Sequence, residues 1–484
     1  MTLQSILDSK IRIQYAPRDL RATITDELTV PNPKYAKARA MGFSTYNIPR
    51  MIKLYEHIGN GIVLPRGYLN RLLQIAPDAE VTDHRLTLPA AGFTSKIELR
   101  DYQAPVIPAA IKAQQGVIVA PCGSGKTEMG MEFVARVDQP TLWLTHTKDL
   151  ANQSRDRAVS RLGLSKKEIG FIGGDTFRVG QRFTVGMVPT LAKRNLLDLT
   201  SQFGCIVIDE CHHVFKDAKS VGTFQKVISS FPARYRIGLT ATPHRSDGLV
   251  ETMFYVLGPK IIEVEQGALK DAGQVIAPTV RFIETGWEFE YREDFNELLG
   301  AMVEDAERNQ LLLDVLAGHV EGHHSLILGD RISHLQEILN RVVNLKPGMT
   351  NRTAIVTGET PKAWREKIMQ DTRSGKIQVL FATYALAKEG LDIPILDQLF
   401  LVTPKRDYAV VTQAVGRIAR PADGKTSATV FDFYDSEVGV LIGQAVARRN
   451  KVYKPLQCKI INPPVSRKQR ELKLQQALQD AFRN

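Results

Sequence analysis

Val117-Ile118-Val119-Ala120-Pro121-Cys122-Gly123-Ser124-Gly125-Lys126-Thr127 carries a short apolar run through a Gly-rich turn into a helical stretch. Glycine lets backbone N–H groups wrap an anion, because no Cβ blocks the approach. In such a cradle Lys126 reaches the β- and γ-phosphates, Thr127 holds Mg²⁺, and the helix N-terminus adds its positive end. The first position of the usual pattern is Ala120 where glycine is commoner. Read this way, Pro121, Cys122, Gly123, Ser124, Gly125, Lys126 and Thr127 form a nucleoside triphosphate site. A tight strand-to-helix turn that binds nothing is the alternative.

Outward from this turn, apolar runs alternate with helical patterns in two blocks. The first has runs at 117–120, 141–145, 183–187, 205–209 and 237–240, and the second at 325–328, 353–357, 379–383, 399–403 and 428–431. Such alternation predicts two doubly wound parallel sheets covered by helices, an α/β fold whose ligands gather at the carboxyl ends of strands. The expected organisation has a small α+β accessory domain over 1–95, able to bind DNA or to cap the first lobe. A first lobe over 96–255, a linker over 256–300 with Gly-Pro and Ala-Pro breaks, and a second lobe over 301–447 follow. A basic extension over 448–484 ends the chain. The accessory domain is expected to hold an amphipathic helix between Ile48 and Leu73. From Arg448 onward ten Lys/Arg meet only two acids, and Ser466–Phe482 has helical spacing.

Composition narrows the function. The 484 residues suit about three domains of ~150 each. No stretch reaches the ~18 apolar residues of a membrane helix, and the first residues lack a secretory h-region. Four scattered cysteines form no CxxC pair, which suggests neither a disulfide frame nor a zinc ribbon and fits a reducing cytoplasm. The formal charge of +11 suits a polyanionic partner.

A second chemical element is Cys205-Ile206-Val207-Ile208-Asp209-Glu210-Cys211-His212-His213, an apolar strand ending in adjacent carboxylates. Asp209 can hold the Mg²⁺ shell while Glu210 polarises an attacking water, which is what phosphoryl transfer needs from a protein. In the second block, Gln413-Ala414-Val415-Gly416-Arg417-Ile418-Ala419-Arg420 places Gln413, Arg417 and Arg420 at helical spacing. Guanidinium groups there can stabilise charge on a transferring phosphoryl group.

Over roughly Leu99–Asp432 these strings resemble the superfamily 2 helicases, with Asp-Glu-Cys-His as a DExH box. The resemblance implies two tandem RecA-like lobes with ATP and Mg²⁺ between them, and its further motifs occur in order. Leu99-Arg100-Asp101-Tyr102-Gln103 is similar to the adenine-recognising Q motif, with Gln103 on the adenine edge and Arg100 or Tyr102 on the base. Leu239-Thr240-Ala241-Thr242-Pro243 is similar to motif III, whose Thr240 and Thr242, with His212, relay nucleotide state. Ala382 to Pro394 resembles motif V, implying a strand contact at Thr383 and a ribose or arginine contact at Asp392. Further strand contacts are implied for His146 and Lys148 in motif Ia, Thr190, and Arg331 beside motif IV. Gln413, Arg417 and Arg420 match motif VI.

Within that superfamily the box and the Glu-Gly-Leu-Asp-Ile-Pro string are similar to DNA enzymes of XPB/UvsW-like type, phage or bacterial. XPB-like enzymes carry Arg-Glu-Asp after motif III, where this chain has Arg245-Ser246-Asp247. The resemblance therefore implies an ATP-dependent DNA helicase or branch-migrating translocase in recombination, replication or repair. Its expected partners are single-stranded, forked or branched DNA and proteins of those processes, in a bacterial or phage-infected host cytoplasm. An RNA helicase, a restriction-complex motor and an ATP-gated nucleic-acid scaffold are the alternatives.

Overall fold

The computed structural model describes residues 3–212, 218–241, 249–388 and 393–465. The chain divides into two units, Met1–Glu265 and Gln266–Asn484. The main sheet of the first has eight strands. Across it lie Thr176–Arg178, Ile169–Gly173, Phe183–Met187, Thr141–Thr145, Cys205–Ile208, Tyr235–Thr240, Gln115–Val119 and Lys260–Glu263. Every pairing is parallel except the hairpin of Ile169–Gly173 with Thr176–Arg178. Gln115–Val119 and Cys205–Ile208 are buried throughout, as expected of central strands covered on both faces. The helix Lys126–Val137 buries Met129, Met131, Phe133 and Val134. Gly130 lets it lie close to the sheet, since a Cβ there would come within 2.7 Å of the Leu239 and Trp143 side chains.

The second unit holds a seven-stranded sheet in the order Thr353–Val356, Val379–Thr383, Ser325–Gly329, Gln398–Leu401, Thr429–Tyr434, Thr279–Glu284 and Lys459–Ile461. All of its pairings are parallel. Both sheets thus follow the expected α/β alternation.

Three expectations change. The segment 256–300 is not merely a linker. Lys260–Glu263 pairs with the strand before the Gly-rich turn, and Thr279–Glu284 pairs with Thr429–Tyr434. The basic extension begins inside the second unit: Arg448 is buried against Asp432 at 2.6 and 2.8 Å, and Lys459–Ile461 completes the sheet. Ser466–Phe482 lies outside the described residues. Between Ile48 and Leu73 the chain forms strands Met51–Lys53, Glu56–Ile58 and Gly61–Pro65, and only Leu69–Ile75 is α-helical. Glu56–Ile58 is exposed throughout and Gly61–Pro65 buried throughout, so neither presents the one-sided stripe of an amphipathic helix.

Residues before the first lobe build a five-stranded mixed sheet, in the order Glu56–Ile58, Gly61–Pro65, Lys10–Ile13, Gln4–Leu7 and Glu80–Asp83. Its core is continuous with that of the eight-stranded sheet, from Ile11, Leu64 and Tyr68 to Val119 and Ile206. Arg66 locks the two together. Its buried guanidinium donates to the Ala233 carbonyl at 2.6 Å and the Arg234 carbonyl at 3.0 Å, and its Nε donates to Gln115 Oε1. Burial lowers the Arg66 pKa, so the charge is held by carbonyl dipoles at a cost. Gly67 is equally constrained, because a Cβ would sit 2.4 Å from Gly258 N. Arg66→Ala leaves those carbonyls and the Gln115 amide without their partner, and is expected to destabilise the first unit by about 3 kcal/mol in chemical denaturation. A change below about 1 kcal/mol would show that Arg66 does not hold this junction.

Candidate nucleotide site

Parallel register brings three chain segments to one sheet edge. Val119 pairs with Thr240, and Ile208 with Gly238, so the strands deliver the Gly-rich turn, Asp209-Glu210 and Thr240 side by side. The turn uses left-handed backbone at Gly123 (φ 84°) and Gly125 (φ 76°), which side chains adopt only with strain. Gly125 also caps the helix Lys126–Val137.

Gln103 shapes this cradle. It is 2% exposed; its Nε2 donates to Ser124 O at 2.7 Å, and its Oε1 accepts from Arg100 N at 3.0 Å. The amide expected on the adenine edge is thus also a support of the turn, and these two bonds leave it a second N–H and a second oxygen lone pair. Tyr102 Oη donates to the same Ser124 carbonyl at 3.3 Å and accepts from the Arg100 guanidinium at 2.9 Å. Ser124 Oγ is buried and has no hydrogen-bond partner among the described residues. Pro121, Cys122, Gly123, Gly125, Lys126 and Thr127 are all partly accessible around it.

Lys126 Nζ lies 3.7 Å from Glu210 Oε1, and His212 Nδ1 lies 3.3 Å from Glu210 Oε2. His212 Nδ1 is also 3.0 Å from Thr240 Oγ1, so one chain of contacts runs from the Gly-rich turn to the strand end at Thr240. Glu210 itself has φ 48°, a conformation that costs a non-glycine residue on the order of 1–3 kcal/mol. Its N–H donates to Asp209 Oδ1 at 3.0 Å. Burial, then the Glu210 charge, push the Asp209 carboxyl up to about 7, with Lys126 opposing. Asp209 is thus a buried carboxylate whose ionised form is disfavoured in the absence of a cation. Its oxygens, with the Thr127 hydroxyl on the Gly-rich turn, are donors of the kind that would hold a hard divalent cation.

The remaining predicted residues are placed separately. In the first unit, His146 is partly buried just past the strand Thr141–Thr145, and Lys148 is exposed where the helix Lys148–Arg161 begins. Thr190 Oγ1 accepts from Gly174 N at 3.2 Å. In the second unit, Arg331 is the exposed residue before the helix Ile332–Leu345, and Thr383 closes the strand Val379–Thr383. Gln413 and Arg417 lie on the helix Tyr408–Ile418, while Arg420 falls beyond its end, where Arg420 N bonds Arg417 O at 3.3 Å. The buried Gln413 Oε1 has no hydrogen-bond partner among the described residues. Thr242 and Asp392, and the string 245–247, lie outside the described residues.

Sequence reading overlooked Glu128. Its carboxylate pairs with Arg157 and, at 2.9 Å, with Arg161, clamping the helix after the Gly-rich turn to the helix Lys148–Arg161. Two arginines at i and i+4 on one helix were the available signal.

Two outcomes follow from this geometry. A Cβ on Gly125 would stand 2.5 Å from Gln103 Nε2 at a positive φ, so Gly125→Ala should weaken nucleotide binding at least about tenfold in a fluorescent-nucleotide titration. Unchanged affinity would dissociate the turn from nucleotide. Asp209 carries a raised pKa, so its contribution to stability is greatest below the unfolded carboxylate range and is lost as pH rises through about 7. Without nucleotide or divalent cation, Asp209→Asn should therefore raise the unfolding midpoint, and raise it more at pH 8 than at pH 5. Equal shifts at both pH values would refute the buried-charge account.

Known proteins resemble both units. Residues 96–245 match the family model "Type III restriction enzyme, res subunit", and residues 307–422 match "Helicase conserved C-terminal domain". DNA 3'-5' translocase XPB2 of Sulfurisphaera tokodaii is 28% identical over 377 residues, 70% of this chain and 82% of that protein. A protein of Acanthamoeba polyphaga mimivirus, L396, named as a candidate ATP-dependent RNA helicase, is 27% identical over 83% of this chain and 77% of its own length. Among solved structures, S. cerevisiae Dbp5 bound to RNA and ADP BeF3 shares the fold with TM-score 0.53 at 15% identity, over 75% of this chain and 89% of that one. With a res-type domain followed by a helicase C-terminal domain, the chain belongs to the superfamily 2 helicases, as an XPB-like, ATP-hydrolysing member.

Proposed function

We propose that this helicase couples ATP hydrolysis to translocation along DNA, and so unwinds forks or migrates branches in repair, recombination or replication. The observation that carries the reading is the contact chain Lys126–Glu210–His212–Thr240. It links the groups that would meet the γ-phosphate to the strand end from which the chain continues. The name of the XPB2 relative supports DNA as the track.

In this reading Lys126 pairs with the β- and γ-phosphates and moves away from Glu210 to do so. Glu210 then orients the attacking water, and its strained backbone fixes the carboxylate's direction. Asp209 and Thr127 would hold Mg²⁺, which when bound would supply charge neutralisation at the phosphates. Arg417 and Arg420 act on the transition-state charge, with Gln413 beside them. Gln103 meets the adenine edge while keeping the cradle in shape, and Arg100 or Tyr102 packs on the base. His146, Lys148, Thr190, Arg331 and Thr383 meet strand phosphates, which position a strand without reading its sequence. Thr242 has the relay role, and Asp392 meets the ribose or the arginines at 417 and 420. A nucleotide drives motion only through contacts that differ between two states, and breaking the Lys126–Glu210 pair is one such difference.

Lys126→Ala and Glu210→Gln should each lower DNA-stimulated ATPase at least about 100-fold while both variants remain folded at the assay temperature. The assay compares single strands, blunt duplex, forks, four-way junctions and matching RNA at a stated salt concentration. Forked or four-way DNA should stimulate most and be displaced. Stimulation by RNA alone would overturn the DNA assignment, near-normal turnover of either variant would overturn the site, and ATPase without displacement would leave a translocase or scaffold.

A further inference from the structure

Residues 28–55 carry Lys34, Lys37, Arg39, Arg50 and Lys53 and contain no Asp or Glu. Strands Thr29–Pro31 and Met51–Lys53 pair antiparallel and close an excursion from the N-terminal sheet. Its far part is the helix Pro33–Ala40 and the turn that follows. That turn is built by its own hydrogen bonds. Met41 N donates to Lys37 O at 3.1 Å, Gly42 N to Arg39 O at 3.2 Å, and Phe43 N to Ala38 O at 2.8 Å. Gly42 supplies the positive φ of 69° that such a helix ending requires. Asn32 ties the two sides, its N donating to Arg50 O at 3.0 Å and its side-chain amide to Pro49 O at 2.6 Å.

The fold makes little use of the side chains this framework presents. Met41 is 54% exposed, Phe43 62% and Tyr46 94%, and the basic side chains of Lys34, Lys37, Arg39 and Arg50 are exposed with them. A single exposed aromatic is ordinary; two in four positions on a hydrogen-bonded turn, next to a third large apolar residue, mark a contact surface. The charge says what kind. A stretch with cations and no acids is complementary to a polyanion, and free aromatic faces are what unpaired bases stack on, whatever their sequence.

We propose that this tip binds unpaired nucleotides where a duplex opens, with Phe43 and Tyr46 stacking on bases and Lys37, Arg39 and Arg50 holding the flanking phosphates. The proposal rests on the DNA reading above and adds to it a contact outside both helicase domains.

The test uses the full chain and fluorescently labelled DNA. Phe43→Ala with Tyr46→Ala should weaken binding to forked and single-strand-tailed duplex at least about tenfold, and to blunt duplex less than about twofold. Tyr46→Trp, which keeps a stacking face, should bind the fork like wild type. Lys37→Gln with Arg39→Gln should weaken all three substrates and make the dependence of log affinity on log salt shallower by about one to two. Thermal unfolding of each variant controls for folding. Fork affinity unchanged in the aromatic double variant, or lost equally on fork and blunt duplex, would overturn the proposal. Wild-type ATPase measured on the same DNA separates the two readings. If no DNA stimulates it, the proposed function fails and the tip proposal with it; if DNA stimulates it and the variants bind normally, only the tip proposal fails.

Discussion

Two carboxylates and one ammonium share a buried corner of the first unit, and that arrangement constrains what surrounds it. Asp209 and Glu210 can sit there only because the parallel register ends Cys205–Ile208 beside Tyr235–Thr240 and Gln115–Val119. Lys126 offsets one charge at 3.7 Å, a distance that leaves room for competition. Burial and the neighbouring Glu210 charge push Asp209 up to about 7 against the pull of Lys126, so its ionised form is held at a cost. Under the proposed function a cation meeting that carboxylate would relieve the cost.

The cradle is buttressed from two sides. Gln103 and Tyr102 hold the Ser124 carbonyl from upstream, and Glu128 ties the following helix to Arg157 and Arg161. Movement at the helix Lys148–Arg161 therefore bears on the helix that begins at Lys126. The N-terminal sheet joins the same body through Arg66, whose carbonyl partners lie just ahead of the strand Tyr235–Thr240. At the other end of that strand Thr240 meets His212. Accessory sheet and nucleotide site thus share one strand.

Much of this was legible in the residues. Buried parallel strands read as uninterrupted apolar runs, so Val117–Val119 and Cys205–Ile208 stood out, and glycines at 123 and 125 marked a turn needing positive φ. Less regular strands escaped. Ile169–Gly173 contains two glycines, Lys260–Glu263 is a sheet edge with charged ends, and Thr279–Glu284 alternates in exposure along a stretch rich in turn residues. The role of Gln103 escaped too, because an amide's partner is a matter of distance, and Ser124 lies twenty-one positions away.

The sequence by itself determined which chemistry is present: a Gly-rich phosphate turn, an acid pair at a strand end, and a spaced Gln-Arg-Arg string. Periodicity and local backbone demands are enough for that, since each motif is contiguous. Tertiary structure alone decided which groups touch. It paired Lys126 with Glu210, tied Gln103 to the cradle, buried Arg66 against the eight-stranded sheet, and left Phe43 and Tyr46 in solvent. Burial and distance arise from how distant segments pack, and local sequence pattern carries neither.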